Sequence, residues 1–187
     1  MIYYVSDLHI GHEKIIKVCN RPFNSLKEMN NALIANWNAK VKPNDEVYIV
    51  GDLFLHMPEN GDEIISKLNG IKYLIVGNHD WSWMDKIDLK KHFKKVSELM
   101  TIVDGNKTVT LCHYPMMDFR GDFLVYGHIH NNTKDFYWPL LKTMDNAFNA
   151  GVEINNYEPC TFSELVQNNI KYKAKLQKSL YYEDREK

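Results

Sequence analysis

Short apolar runs that each lead into a polar stop containing glycine, aspartate, asparagine or histidine recur along this chain, and they constrain its fold more than any other feature. Residues 2–5, 46–50 and 72–76 read as strands of the length seen in buried sheets. Between the first two, residues 25–37 read as a helix. Ser25 stands three residues before Glu28, the spacing of a capping box, and Leu26, Met29, Leu33 and Trp37 then recur at helical period. Residues 59–68, closed by Asn69-Gly70, read as a second helix. Residues 85–93 read as a third, with Lys90-Lys91 and Lys94-Lys95 as a solvated face. Strands alternating with helices predict βαβ units on a parallel sheet.

Beyond Met100 the rhythm changes. Residues 99–103 and 108–112 flank Asp104-Gly105-Asn106, a hairpin signal, and residues 123–126 and 148–154 add two more strands. This half reads as a meander. The chain has no internal repeat or linker, so its 187 residues read as one α/β domain over residues 1–170. The polar remainder, 171–187, carries Lys171, Lys173, Lys175 and Lys178 and reads as a tail or a surface helix.

Composition excludes several classes. Hydrophobic residues make up 44% and charged residues 25%, which suits a packed domain and not a disordered one. A net charge of -1 gives no general pull towards nucleic acid or an anionic membrane. Three cysteines without a C-x-x-C pair suggest neither a disulfide framework nor a thiolate zinc site. The N-terminus has no basic signal region and no apolar run is long enough to span a bilayer, so the cytoplasm is the expected location.

The polar residues that close the strands are chemically alike. Asp7 and His9 follow the first strand, Asp52 the second, and Asn78, His79 and Asp80 the third. His113 follows the hairpin, and His128 and His130 follow residues 123–126. In an open α/β sheet the C-terminal strand ends share one edge, where the binding crevice forms. Five of the eight histidines fall in this set. The pairs Asp7/His9 and His128/His130 sit two apart, so extended backbone would point each pair to one side, with Leu8 and Ile129 facing the core. Gly51, Gly77 and Gly127 each precede a candidate ligand. Imidazole and carboxylate without thiolate suit manganese, iron, zinc or nickel. A lone D-x-H or Gly-Asp is a weak signal; the joint pattern at successive strand ends makes the metal reading.

Taken in order, Asp7-Leu8-His9, Gly51-Asp52, Gly77-Asn78-His79-Asp80, His113 and Gly127-His128-Ile129-His130 resemble the signature of the calcineurin-like metallophosphoesterases. The match covers about residues 1–160, and Asn149-Ala150-Gly151-Val152 is similar to the N-x-G strand of the small bacterial and phage members. The resemblance implies a four-layer α/β/β/α sandwich of two mixed sheets built from βαβ units. It implies two divalent ions, manganese first, with iron, zinc or nickel as alternatives. Asp7, His9 and His130 would hold one ion, Asn78, His113 and His128 the other, and Asp52 would bridge both. His79 would face the substrate, with Asp80 as its orienting partner.

The expected reaction is hydrolysis of a phosphodiester, with a phosphomonoester second, by in-line attack of a hydroxide bridging the two ions. Protein-phosphatase members carry Gly-Asp-x-x-Asp-Arg-Gly, whereas this chain reads Gly51-Asp52-Leu53-Phe54-Leu55-His56. The missing arginine argues against a phosphoprotein substrate and leaves small phosphorylated or nucleotide molecules. Arg21, His12 and His56 are candidate substrate contacts, since arginine matches phosphate in a bidentate way; an ordinary surface role competes equally for each. Arg120 is open between the same two roles. Trp81 and Trp83 could stack on a base or pack in the core. A nuclease or RNA-processing enzyme is the alternative supported by the lysines at 90–95 and 171–178, and a scaffold that binds protein partners is another. Nothing in the sequence bears on oligomeric state.

Overall fold

The computed structural model describes residues 1–183 of the chain. Four strands, β1 (Ile2–Val5), β2 (Glu46–Ile49), β3 (Ile71–Ile75) and β4 (Phe93–Ser97), form a wholly parallel sheet in the order β1-β2-β3-β4. Parallel neighbours need a crossover. α1 (Lys14–Val18) and α2 (Leu26–Lys40) supply the first and α3 (Gly61–Lys67) the second. Ser25 caps α2 as its spacing predicts, its hydroxyl accepting the Glu28 N–H, a bond worth about 1 kcal/mol. The Glu28 carboxylate reaches back to Asn24.

The third crossover departs from the expected helix over 85–93. Two 3-10 turns, Asp80–Ser82 and Met84–Lys86, lead into a single turn, α4 (Leu89–His92). Phe93 to Ser97 then pair with β3 as an edge strand. Lys94 and Lys95 are exposed as expected, but on a strand, where edge lysines discourage further pairing.

The second sheet, β5 (Leu99–Asp104), β6 (Lys107–Cys112), β7 (Phe123–Tyr126) and β8 (Ala147–Asn149), is mixed. β5 and β6 form the expected hairpin around Gly105. The expectation of a meander fails beyond it, because β6, β7 and β8 run parallel. The strand expected over 148–154 is only three residues long. α5 (Trp138–Leu141) lies in the β7–β8 crossover. α6 (Phe162–Glu183) runs unbroken through position 170, so the boundary expected there falls inside one helix; residues 184–187 of the expected tail lie outside the described residues.

Period-two alternation divides the core into layers. Val5, Val47, Ile49 and Leu74 face α1 to α3 with Met29, Leu33 and Trp37. Tyr4, Tyr48, Val50 and Ile75 face Val109, Leu111, Val125 and Phe148 of the second sheet. Leu124, Tyr126 and Ala147 face Leu141 of α5. This is the α/β sandwich, with helices outside two four-stranded sheets, although only the second is mixed and the first is wholly parallel. Beyond β1, the Ser6 N–H donates to Ala150 and Val152 N–H returns to Ser6, so the chain crosses from one sheet to the other. That seam brings the C-terminal ends of β1 to β3 beside those of β6 to β8.

Candidate metal centre

The loops leaving these strands are tightly bent. Asp7, His9, Asp52, His128 and His130 all have positive φ, between 48° and 70°. The Asp7/His9 and His128/His130 pairs therefore do not lie in extended backbone as their spacing suggests, although Leu8 and Ile129 do face the core. A non-glycine residue in this region costs roughly 1–3 kcal/mol and persists only where its surroundings hold it. Here Asp7 N–H donates to Gly51 O, His9 N–H to Asp52 O and Ile10 N–H to Leu53 O, each at 3.0 Å. At Gly77 an added Cβ would overlap the Asp52 carboxylate, and at Gly127 it would overlap the Ser6 hydroxyl and crowd Asp7. Both glycines are needed for close approach.

The side chains converge on Asp52. Its Oδ2 lies 3.3 Å from His113 Nε2, 3.6 Å from His9 Nε2 and 4.0 Å from His79 Nε2. Its Oδ1 accepts the His79 N–H at 2.9 Å. Asn78 Oδ1 is 2.9 Å from His128 Nδ1 and 3.1 Å from His113 Nε2. His130 Nε2 stands 3.9 Å from Asp7 Oδ1, and both Asp7 oxygens face the His128 N–H. Ligand atoms of Asp7, His9 and His130 lie within 4.8 Å of one another, as do those of Asp7, Asp52 and His113.

These residues fit divalent ions. Both His9 ring nitrogens are buried and, among the described residues, have no hydrogen-bond partner, an arrangement that is costly unless something else accepts the ring lone pair. His113 Nδ1 sits 2.9 Å from the Val50 carbonyl, which directs Nε2 towards Asp52 and Asn78. Burial pushes the His9 pKa down to about 2, so the ring is neutral. Burial also opposes charge on His113 and His130, but the carboxylates win. Hydrogen bonding and charge from Asp52 lift His113 to about 9. The Asp7 charge, then Cys19 and Glu153, lift His130 to about 11. Without metal, protons take the place of cations in a carboxylate-rich cluster.

The model of the calcineurin-like phosphoesterase family matches residues 1–136, which include all seven candidate ligands and His79. The chain belongs to the calcineurin-like phosphoesterase family. It is 35% identical over 172 residues to the uncharacterised protein MJ1445 of Methanocaldococcus jannaschii, covering 89% of each chain. It is also 27% identical over 160 residues to the Gene 66 protein of Mycobacterium phage L5, covering 69% of this chain and 77% of the other. Among solved structures, AQ665 from Aquifex aeolicus superimposes with a TM-score of 0.69 at 28% identity, covering 89% of this chain and 98% of that one.

In this calcineurin-like phosphoesterase the remaining expected residues divide. The His79 side chain is 40% exposed at the rim of the cluster. Asp80 is not its orienting partner. The buried Asp80 carboxylate accepts the N–H groups of Asp52, Gly77 and Leu53 and the Trp83 indole, so it fixes the loop that carries Asp52. Arg21 is not a phosphate contact either. Its side chain is fully buried and donates to Glu153, Leu8 O and Asp7 O. The His12 ring packs 5.5 Å from the His9 ring, within reach of the site, whereas His56 is exposed and, among the described residues, its side chain makes no hydrogen bond. Arg120 is exposed. Trp83 belongs to the core and Trp81 is 60% exposed.

Two residues at the site escape the sequence pattern. Glu153 Oε1 lies 2.9 Å from His130 Nδ1. It follows β8 as Asp52 follows β2, which is the signal that could have found it. Tyr114, next to His113, stands exposed with its ring 4.7 Å from that of His128.

Proposed function

We propose that the protein hydrolyses phosphodiesters of small or nucleotide-type molecules, using two divalent ions, manganese first. The convergence of seven side chains with nitrogen or oxygen donors, Asp52 and Asn78 at their middle, carries this reading. Asp7, His9 and His130 would hold one ion, Asn78, His113 and His128 the other, and Asp52 would serve both. Bound there, such ions lower the pKa of water towards neutrality and polarise phosphate oxygens.

The residues of the chain do the rest. The His79 backbone is tied to Asp52, and its partly exposed imidazole is free to give a proton to the departing alkoxide. Burial of Asp7 and His9 keeps water away from their side of the cluster. Arg21 is fully engaged elsewhere, so it offers no guanidinium to the second charge of a phosphomonoester, which favours the singly charged diester. A cavity of about 500 Å³ opens on His128 and His130 between Asn20 and the Asn131, Lys134 and Tyr137 side. That volume suits a small molecule.

The test is hydrolysis of bis(p-nitrophenyl) phosphate and p-nitrophenyl phosphate by chelator-stripped protein, with manganese, zinc and nickel added in turn. Ion-dependent cleavage of the diester, faster than the monoester, is expected. Faster monoester cleavage removes the diester preference, and no ion-dependent cleavage of either removes the reading.

A further inference from the structure

The two donor sets rest on different supports. His113 turns its Nδ1 to the neutral carbonyl of Val50 at 2.9 Å. His130 turns its Nδ1 to the Glu153 carboxylate, also at 2.9 Å. Glu153 in turn receives Arg21 through Nε at 3.0 Å and Nη2 at 2.6 Å, with both side chains shut off from solvent. The same guanidinium donates to Asp7 O at 2.7 Å and Leu8 O at 2.9 Å, the carbonyls that lead into His9. One buried ion pair therefore grips the Asp7/His9 loop and the His130 ring together. Among the described residues it makes no hydrogen bond to Asn78, His113 or His128.

Such support matters because Asp7, His9 and His130 hold φ values of 56°, 48° and 49°, a conformation that persists only when it is over-determined. A carboxylate on the far nitrogen of a ligating histidine fixes its tautomer and raises its donor strength. Arg21 balances the Glu153 charge, so what the neutral Val50 carbonyl lacks is the stronger hydrogen bond that a carboxylate makes to the ring N–H.

We propose that Arg21 and Glu153 are positioning residues that make the two ion sites unequal, the ion on Asp7, His9 and His130 being held more tightly. The inference rests on the two-ion reading above.

The experiment titrates chelator-stripped protein with Mn2+ by calorimetry, with folding of each variant checked by thermal unfolding. The unaltered protein should take up two ions in two distinguishable steps. Uptake of fewer than two overturns the two-ion reading itself, before any variant is made. His130→Ala should remove the tight step; if it removes the weak one, the order of affinities is wrong and the proposal falls. Glu153→Ala should weaken the tight step about 10–100-fold and leave the other within about two-fold. If that variant does not fold, the double variant Arg21→Met/Glu153→Gln removes both buried charges and keeps an amide oxygen for His130 Nδ1. It should show a smaller loss confined to the same step. A purely structural role lowers the melting temperature without separating the two affinities. A folded variant in which both steps weaken alike, or neither weakens, overturns the proposal.

Discussion

The Asp80 carboxylate accepts the backbone N–H of Asp52 at 2.8 Å, while the Asp52 carboxylate accepts the backbone N–H of His79 at 2.9 Å. Each loop thus holds the other in the geometry the cluster needs. Asp80→Ala would leave three backbone donors and the Trp83 indole without their acceptor in a buried place. At about 1–3 kcal/mol per unsatisfied donor, with some relaxation, a loss of at least about 3 kcal/mol is expected in urea unfolding. A loss below about 1 kcal/mol would mean that Asp80 does not lock these loops.

His79 and Asp52 should separate by readout. His79→Ala leaves every nitrogen and oxygen donor of the two proposed ion sites in place, so ion content should be unchanged while kcat falls by about 10²–10⁴-fold. Asp52→Asn removes the carboxylate that three imidazoles face, and both ion content and turnover should fall. Full diester turnover by His79→Ala would falsify its assigned part.

Ion uptake should expel protons. With His113 lifted to about 9 and His130 to about 11, both rings are cationic at pH 7 when no ion is present. An ion needs the lone pairs those protons occupy, so affinity should increase as pH rises towards 9 and decrease on acidification. Calorimetry in two buffers of different ionisation enthalpy reads this directly, and about one proton or more should leave per protein at pH 7. Uptake without proton release would contradict the electrostatic account.

The two neighbouring tryptophans make a stability contrast. Trp83 is wholly buried and donates its indole N–H to Asp80, whereas Trp81 is 60% exposed. Trp83→Ala should cost about 3–5 kcal/mol. Trp81→Ala should change stability by less than about 0.5 kcal/mol. Equal effects in denaturant unfolding would refute the division into core and surface.

The sequence made legible what obeys a period or a local geometry. Val5, Val47 and Ile49 alternate with Tyr4, Tyr48 and Val50 because both faces of their sheet are covered, and Ser25 shows its helix cap because capping is decided within four residues. The edge strand β4 stays hidden because its exposed lysines imitate a helical surface. The parallel run of β6 to β8 is invisible as well, since strand direction depends on partners far away in sequence. Arg21 carries no mark of burial; only the fold reveals that Glu153, 132 residues away, awaits it. Glu153 is likewise a lone carboxylate until β8 sets it behind His130.

The seam between Ser6 and residues 150–152 gives the chain a fixed order of assembly. Asp7 is among the first residues made, yet the backbone that frames it arrives with Ala150 and Val152, and the carboxylate behind His130 arrives with Glu153. A nascent chain on the ribosome cannot close this centre until those residues have emerged. A fragment cut before Glu153 would lack them whatever its helices do. The proposed site on Asp7, His9 and His130 is then complete only once synthesis has passed that point.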